Sequence, residues 1–250
     1  MLAASSRLVF LVCAVLLEEC CERPVSGSTG VHDVIQRGFG MSILRAHNIV
    51  VSLDGYATGE GQSPEAGFGH AQQAFSGWFE TLRLWRGLGP DGNLGPNEAI
   101  ASAWGSAIGA EIMGRNKFRP TTGPWPDDGW PGWWADDAPF HTPCFVWTHY
   151  EREPMIVGDT TFYFVGGTPA EVLELAQKTA GDLDVRLGGG PTTINAFLAA
   201  GLVDYLHVIQ IPILLGRGVR LWNGLEGLHE QYAIESVTVP SGATHLFFAR

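Results

Sequence analysis

The segment 184–193 constrains the fold more than any other part of this sequence, because it changes abruptly from a strand pattern to a helix start. The strand-like letters DVRL run directly into GGG and then PTT, where a helix begins. Glycines allow a close approach of the backbone, and the unpaired N–H groups of a first helical turn attract phosphate. We therefore predict a phosphate-binding turn, although its spacing differs from the GxGxxG of a Rossmann site. A plain strand-to-helix turn is the alternative interpretation.

The chain beyond Met41 alternates strand-like and helix-like segments, which favours a layered α/β domain. The clearest helix start is the sequence TPAE at 168–171, since threonine can cap the helix, proline suits its first position and glutamate completes a capping box. We predict strands at 43–53, 110–113, 144–148, 161–165, 184–187, 205–212, 232–239 and 244–249. We predict helices at 71–85, 98–106, 169–179 and 191–200.

Charge and cysteine content restrict the partners of the chain. The formal net charge is −11, and binding to nucleic-acid phosphates requires a basic surface, so we expect no nucleic-acid partner. Of the 4 cysteines, only Cys144 lies beyond residue 21, so the body of the chain holds no internal disulfide. No cluster of His, Cys and Asp has the spacing of a zinc site, so we expect no metal and a small-molecule ligand.

Residues 1–40 differ in composition from the rest of the sequence. An apolar run at 8–17 follows Arg7, as in a signal segment, but Glu18 and Glu19 come next in place of a small-residue cleavage site. The run is too short to span a bilayer as a helix. We interpret 1–40 as a disordered or non-native extension of a cytoplasmic domain at 41–250. The alternative is an exported protein in which residues 1–25 act as a signal segment.

Two further strand ends carry glycine, hydroxyl and cationic residues. One buried strand is followed by Gly114, Arg115 and Lys117, and the next one ends with Thr148 and His149. Because strand carboxyl ends converge on one edge of an open α/β sheet, we expect these residues to join the glycine turn in one nucleotide-phosphate site. Taken singly, the cations fit an ordinary protein surface equally well.

The order of these motifs resembles the dihydrofolate reductase-like superfamily. The shared series is SLDG at 52–55, IMGR at 112–115, a strand ending in threonine, a glycine triplet opening a helix, and GLVD at 201–204. The chain looks most like the reductase domain of bacterial riboflavin-biosynthesis deaminase-reductases and their stand-alone relatives, on AAGLVD at 199–204 and IPILLGRG at 211–218. The resemblance implies a central, mostly parallel sheet flanked by helices, with a C-terminal antiparallel strand pair.

The resemblance also implies the cofactor NADPH, lying across the strand ends. Gly114, Arg115 and Lys117 would meet the cofactor phosphates, and Thr148 and His149 would lie near the adenosine ribose and the 2′-phosphate. The glycine turn would cradle the pyrophosphate with Gly188, Gly189, Gly190, Pro191 and Thr192. A 2′-phosphate needs cationic partners, and the sequence offers Arg115, Lys117, His149 and Arg152.

The substrate and the proton donor stay open at the level of sequence. The candidate catalytic residue is Asp54, since the first strand of this fold ends beside the nicotinamide, and an Asp-Gly turn is the alternative. The candidate substrate pocket combines Asp54 with Phe75 and Trp78. The riboflavin-pathway reductases usually carry glutamate where this chain has Leu187. The tryptophan-rich loop at 123–139 is either a lid over a flat heterocycle or a cover for the sheet.

The resemblance, together with these motifs, implies an NADPH-dependent reductase that transfers a hydride to a small heterocyclic or carbonyl substrate. One alternative is 5-amino-6-(5-phosphoribosylamino)uracil reductase of riboflavin biosynthesis. The other is a non-catalytic NADP-binding protein that retained the fold. We also expect a homodimer, because the two C-terminal strands expose a sheet edge.

Overall fold

The computed structural model describes residues 42–79, 107–134 and 136–250 of the chain. The interpreted extension at 1–40, the predicted helix at 98–106 and the part of the first helix beyond Phe79 lie outside the described residues. The side chain of Trp78, a predicted substrate contact, also lies outside them.

A nine-stranded sheet forms the centre of the described structure, and a small two-stranded sheet pairs Tyr56–Thr58 with Val219–Arg220. The strands are β1 (Leu44–Ser52), β2 (Tyr56–Thr58), β3 (Ile108–Gly114), β4 (Cys144–Trp147), β5 (Arg152–Val157), β6 (Thr160–Val165), β7 (Asp184–Gly189), β8 (Tyr205–Ile211), β9 (Val219–Arg220), β10 (Ala233–Thr238) and β11 (Thr244–Ala249). Their order in the large sheet is β10-β11-β8-β1-β7-β3-β4-β6-β5. All neighbours from β8 to β6 are parallel, and β10, β11 and β5 join antiparallel at the two edges. The predicted α/β class and the C-terminal antiparallel pair are confirmed.

Helices and short 3-10 turns connect the strands of the described structure. The helices are α1 (Gln72–Phe79), α2 (Arg115–Phe118), α3 (Pro169–Ala180) and α4 (Pro191–Ala199), with 3-10 turns at Gly69–Ala71 and Leu228–Gln231. The capping box of α3 is complete: the Glu171 amide donates to the Thr168 hydroxyl at 3.3 Å, and the Thr168 amide donates to the Glu171 carboxylate at 2.7 Å. Helix α3 ends at Ala180 and is followed by Gly181, whose φ of +64° favours glycine. None of the described helices has both the length and the apolar character needed to cross a membrane.

The two faces of the sheet bury different cores, because alternate residues of a strand point to opposite sides. On one face, residues such as Ile112, Val185 and Leu206 pack against apolar side chains of α3 and α4. On the other face, one cluster surrounds Phe162 and a second surrounds Phe75.

The tryptophan-rich loop covers the sheet instead of standing free as a lid. Trp133 and Trp134 are buried in the cluster around Phe162, and the rings of Trp134 and Phe162 stack with centroids 5.6 Å apart. The Trp133 indole N–H donates to the Lys117 carbonyl at 2.9 Å. Of the two interpretations of this loop, the packing supports the cover.

Candidate active site

A cavity of about 520 Å³ opens beside the carboxyl-terminal parts of β1, β7, β3 and β4. The residues of the glycine turn and those at the ends of β3 and β4 that were predicted to bind the cofactor line it: Gly114, Arg115, Lys117, Thr148, His149, Gly188, Gly189, Gly190, Pro191 and Thr192. The glycine turn and the cations after Met113 therefore share one pocket. Its volume is in the range of small-molecule and cofactor sites. Among the described residues, no group of His, Cys, Asp and Glu is arranged to hold a metal ion.

Each glycine of the turn meets a different environment. A Cβ on Gly188 would overlap the Glu111 carboxylate and the Lys117 ammonium group. Gly189 has a φ of +107°, a backbone conformation that residues with a Cβ rarely adopt. Gly190 is extended, with φ −73° and ψ −171°, and a Cβ there would meet nothing within 4 Å. The third glycine therefore faces open space at the cavity.

Helix α4 begins directly after this turn, and Pro191, Thr192 and Thr193 of its first turn line the cavity. Gly190 provides no side-chain cap, and Pro191 at the first helical position has no N–H. The amides of Thr192 and Thr193 lie in the first turn, where no intrahelical acceptor exists. The partial positive charge of a helix N-terminus adds to their attraction for an anion.

Gly114 serves packing more than ligand approach. A Cβ at this position would overlap the Thr193 hydroxyl and lie 3.2 Å from the Thr193 Cβ. The glycine thus allows α4 to approach the end of β3, which holds the first turn of the helix beside the cavity.

A buried ionic cluster of Glu111, Lys117 and Arg186 lies next to the glycine turn. The Glu111 side chain is 1% exposed, and its carboxylate lies 3.0 Å from Lys117 Nζ and 2.6 Å from Arg186 Nε. The cluster joins β3, α2 and β7, and each partner compensates the desolvation of the others. Lys117, predicted to meet a phosphate, lines the cavity, and its ammonium group forms an ion pair with Glu111.

Arg115 is held at the cavity wall by aromatic rings. Its guanidinium lies 4.1 Å from the Trp125 ring centroid and 5.1 Å from that of Tyr150, and Nη2 donates to the Thr121 hydroxyl at 3.2 Å. No carboxylate of the described ranges forms an ion pair with Arg115. Burial lowers the pKa of Arg115, with Tyr150 acting in the opposite direction. Arginine remains charged under all ordinary conditions.

The other predicted partners of the 2′-phosphate lie at different depths. Thr148 is buried, and its hydroxyl accepts the Tyr150 amide at 3.1 Å, whereas His149 is exposed at the rim. Arg152 lies on β5 over the Phe164 ring, with 4.9 Å to the centroid, and does not line the cavity. Arg115 and His149 are thus the cationic or ionisable side chains best placed at this end.

The predicted catalytic residue lies elsewhere. The Asp54 carboxylate accepts hydrogen bonds from the Leu215 and Gly216 amides at 3.1 and 2.7 Å and from the Ser52 hydroxyl at 2.5 Å. Partial burial opposes its ionisation, but these hydrogen bonds prevail and lower the pKa of Asp54 to about 2. Asp54 does not line the cavity, and no Asp or Glu of the described residues does. The turn interpretation accounts for all of its contacts.

The predicted substrate contact Phe75 is also away from the cavity wall. It is fully buried between Ala71, Ile209 and Ile211, and its ring lies 5.0 Å from that of Phe68. Phe68 itself lines the cavity, so Phe75 supports the wall from behind.

Several lining residues escaped the sequence analysis, and Asn48 is the most informative. It has a φ of +61° inside β1 and lies where β1 carries one more residue than β8 between matched pairs. This is a β-bulge, a feature found often beside active sites. A turn-forming residue within the run AHNIVV was the available signal.

Comparison with known proteins agrees with the fold and the motifs. The sequence model of the RibD C-terminal domain matches residues 46–244. No curated protein sequence matches the chain. A crystal structure of a protein from Shewanella sp. PV-4, described as a riboflavin biosynthesis protein, is 22% identical with a TM-score of 0.51, covering 84% of this chain and 99% of that one.

Two other solved structures resemble this chain with lower TM-scores and lower sequence identities. Dihydrofolate reductase from Enterococcus faecalis, solved with NADP(H), is 13% identical with a TM-score of 0.44, over 83% of this chain and 96% of the other. A pyrimidine reductase-like protein from Corynebacterium diphtheriae is 15% identical with a TM-score of 0.45, over 90% and 96% of the two chains. Because the family model matches most of the sequence, residues 46–244, this chain belongs to the RibD C-terminal domain family.

Proposed function

We propose that this protein is a cytoplasmic NADPH-dependent reductase that transfers a hydride to a small heterocyclic or carbonyl substrate. One observation carries the proposal: the glycine turn, the first turn of α4 and Arg115 line the same cavity at the strand ends. Membership of the RibD C-terminal domain family supports the reductase class. A nicotinamide supplies the hydride when bound, and the protein positions it and excludes water.

The arrangement of the lining supports one direction for the dinucleotide in the cavity. The amides of Thr192 and Thr193 suit the pyrophosphate, because they combine unpaired donors with the helix dipole. Arg115 and His149, at the ends of β3 and β4, suit the 2′-phosphate of the adenosine half. On this placement the nicotinamide half extends in the opposite direction, past β7 towards β1.

The lining at the β1 end is suited to hydride transfer. Ile49, Val50, Ala57 and Phe68 provide apolar surface there. An apolar, water-poor environment protects a reactive ring from competing reactions and strengthens the electrostatic interactions around it.

Cofactor titration tests the proposal. Trp147 lines the cavity, so NADPH is expected to quench tryptophan fluorescence with a dissociation constant of about 1 to 100 μM. Arg115→Gln should weaken NADPH binding about 10- to 100-fold, because it removes a charge-assisted bond to the 2′-phosphate, and should leave NADH binding unchanged. The exposed Arg217→Gln serves as a matched control. Absence of NADPH binding to the wild-type protein would overturn the proposal.

The riboflavin-pathway reductase is a second candidate, favoured by the family match. The usual glutamate of that group is replaced here by Leu187, whose side chain is fully buried in the core under α3 and α4. Complementation of a strain that lacks the riboflavin-pathway reductase decides between this substrate and another. Binding of NADPH without turnover of any compound in a carbonyl and pteridine panel would instead identify a non-catalytic NADP-binding protein.

A further inference from the structure

The bulge in β1 places the polar side chain of Asn48 in the lining at the β1 end of the cavity. Asn48 is half-buried, lines the cavity and has Ile49 and Val50 beside it. Its left-handed backbone is better tolerated by asparagine than by most residues.

Two buried histidines hold the Asn48 carboxamide from behind. His207 Nδ1 lies 3.0 Å from Asn48 Oδ1, and His207 Nε2 lies 3.0 Å from His245 Nδ1. The two imidazole rings are nearly parallel, and His207 also stacks on Phe247 with centroids 4.7 Å apart. Burial, together with the neighbouring His245, keeps the pKa of His207 well below its ordinary value, and burial lowers the pKa of His245 to about 4. Both rings are therefore neutral near pH 7.

Because both imidazole rings are neutral, the donor and the acceptor can be assigned in the two hydrogen bonds that His207 forms with Asn48 and with His245. A neutral imidazole has one donor and one acceptor nitrogen, and Asn48 Oδ1 can only accept. His207 therefore donates from Nδ1 to Asn48 and accepts at Nε2 from the Nδ1–H of His245. This arrangement occupies Asn48 Oδ1 and leaves Nδ2 without an acceptor in the described part of the chain. The two N–H donors of Asn48 thus remain for a ligand in the cavity.

We propose that Asn48 positions the nicotinamide by donating from Nδ2 to the carbonyl oxygen of its carboxamide, while His207 and His245 hold the Asn48 side chain in that orientation. The inference rests on the proposed function, since the nicotinamide is placed at the β1 end only if the phosphates bind at α4 and Arg115. Asn48 is then a cofactor-positioning residue at the β1 end of the lining.

Two ligands separate this role from a general structural one. NADPH carries the nicotinamide, whereas adenosine 2′,5′-bisphosphate contains only the adenosine end. Asn48→Leu, which keeps the branching at Cγ and removes the polar atoms, should weaken NADPH binding roughly 2- to 13-fold, the value of one neutral hydrogen bond, and leave bisphosphate binding unchanged. Asn116→Leu is the matched control, because Asn116 lies on α2 and also lines the cavity. This substitution should not weaken the binding of NADPH more than it weakens the binding of the bisphosphate.

The outcomes are distinguishable from failure of the proposed function. If the wild-type protein binds neither ligand, the proposed function fails before Asn48 is tested. If Asn48→Leu weakens the binding of both ligands equally, or changes the binding of neither, the positioning role is overturned.

The histidine tautomers provide a second test that needs no variant of Asn48. Nitrogen-15 NMR of the ligand-free protein should show His207 protonated at Nδ1, with its signal identified by its loss in His207→Gln. Protonation of His207 at Nε2 would mean that Asn48 turns its oxygen towards the cavity, which would overturn the proposal.

Discussion

Alanine substitutions at Gly188, Gly189 and Gly190 separate the structural and the ligand-binding roles of the glycine turn. At Gly188 the new methyl group overlaps the buried carboxylate of Glu111 and its ion-pair partner Lys117. Overpacking and disruption of a buried ionic cluster together should reduce the free energy of unfolding by about 3 to 5 kcal/mol. At Gly189 the φ of +107° is strained for alanine, and the expected loss is about 1 to 3 kcal/mol.

Gly190 should behave in the opposite way. Its backbone is extended and its surroundings are open, so Gly190→Ala should change the free energy of unfolding by less than about 1 kcal/mol. The methyl group nevertheless enters the space through which a pyrophosphate reaches the α4 amides. Loss of one hydrogen bond to a charged group is worth about 1.5 to 3 kcal/mol, which corresponds to a 10- to 150-fold weaker affinity for NADPH.

Urea unfolding and fluorescence titration of the three variants measure both quantities. The expected pattern is a stable Gly190→Ala protein with impaired NADPH binding, beside a Gly188→Ala protein with impaired stability. If Gly190→Ala binds NADPH as tightly as the wild-type protein does, the turn does not approach the phosphates and the reasoning fails.

Three further predictions concern regions around the cavity. Asp54→Ala should reduce the free energy of unfolding by about 1 to 3 kcal/mol, because the Leu215 and Gly216 amides lose their acceptor. Its affinity for NADPH should not change. A variant with full stability and weakened NADPH binding would show that Asp54 acts in the cofactor site. The free energy of unfolding should fall as the pH decreases from 6.5 towards 4, by up to about 1.4 kcal/mol per pH unit. In this pH range His245 binds a proton in the unfolded chain but stays neutral in the folded protein. Urea unfolding at several pH values checks this, and an unchanged slope in His245→Gln would contradict it. Every residue of the edge strand β10 is exposed, and we expect this strand to pair with a second copy of the chain. Val237→Lys should then convert a dimer to a monomer in analytical ultracentrifugation, and a monomeric wild-type protein would exclude this interface.

Features encoded by neighbouring residues could be predicted from the sequence. The capping box of α3 depends on Thr168 and Glu171, three positions apart, and it forms as expected. The convergence of Gly114, Thr148 and Gly188 on one cavity follows from the parallel arrangement of their strands. Strand β5 was missed, since REPMIV contains a proline and two charges and most of its side chains are exposed, a composition that an edge strand tolerates.

Features that depend on contacts distant in sequence could not be predicted. Asp54 is bound by amides 161 and 162 residues away, and no local pattern indicates that loop. The pairing of Glu111 with Arg186 depends on the register of β3 against β7, and this pairing also draws Lys117 away from the solvent. Asn48 was visible as an unusual residue in a strand, but its orientation depends on His207 from the neighbouring strand β8.

A crystal structure of the protein with NADPH bound tests the central claim most directly. The pyrophosphate should lie within hydrogen-bonding distance of the Thr192 and Thr193 amides, with the 2′-phosphate beside Arg115 and the nicotinamide beside Asn48. Density for the cofactor on another surface of the protein, or in the cavity with the adenosine half at the β1 end, would contradict the account.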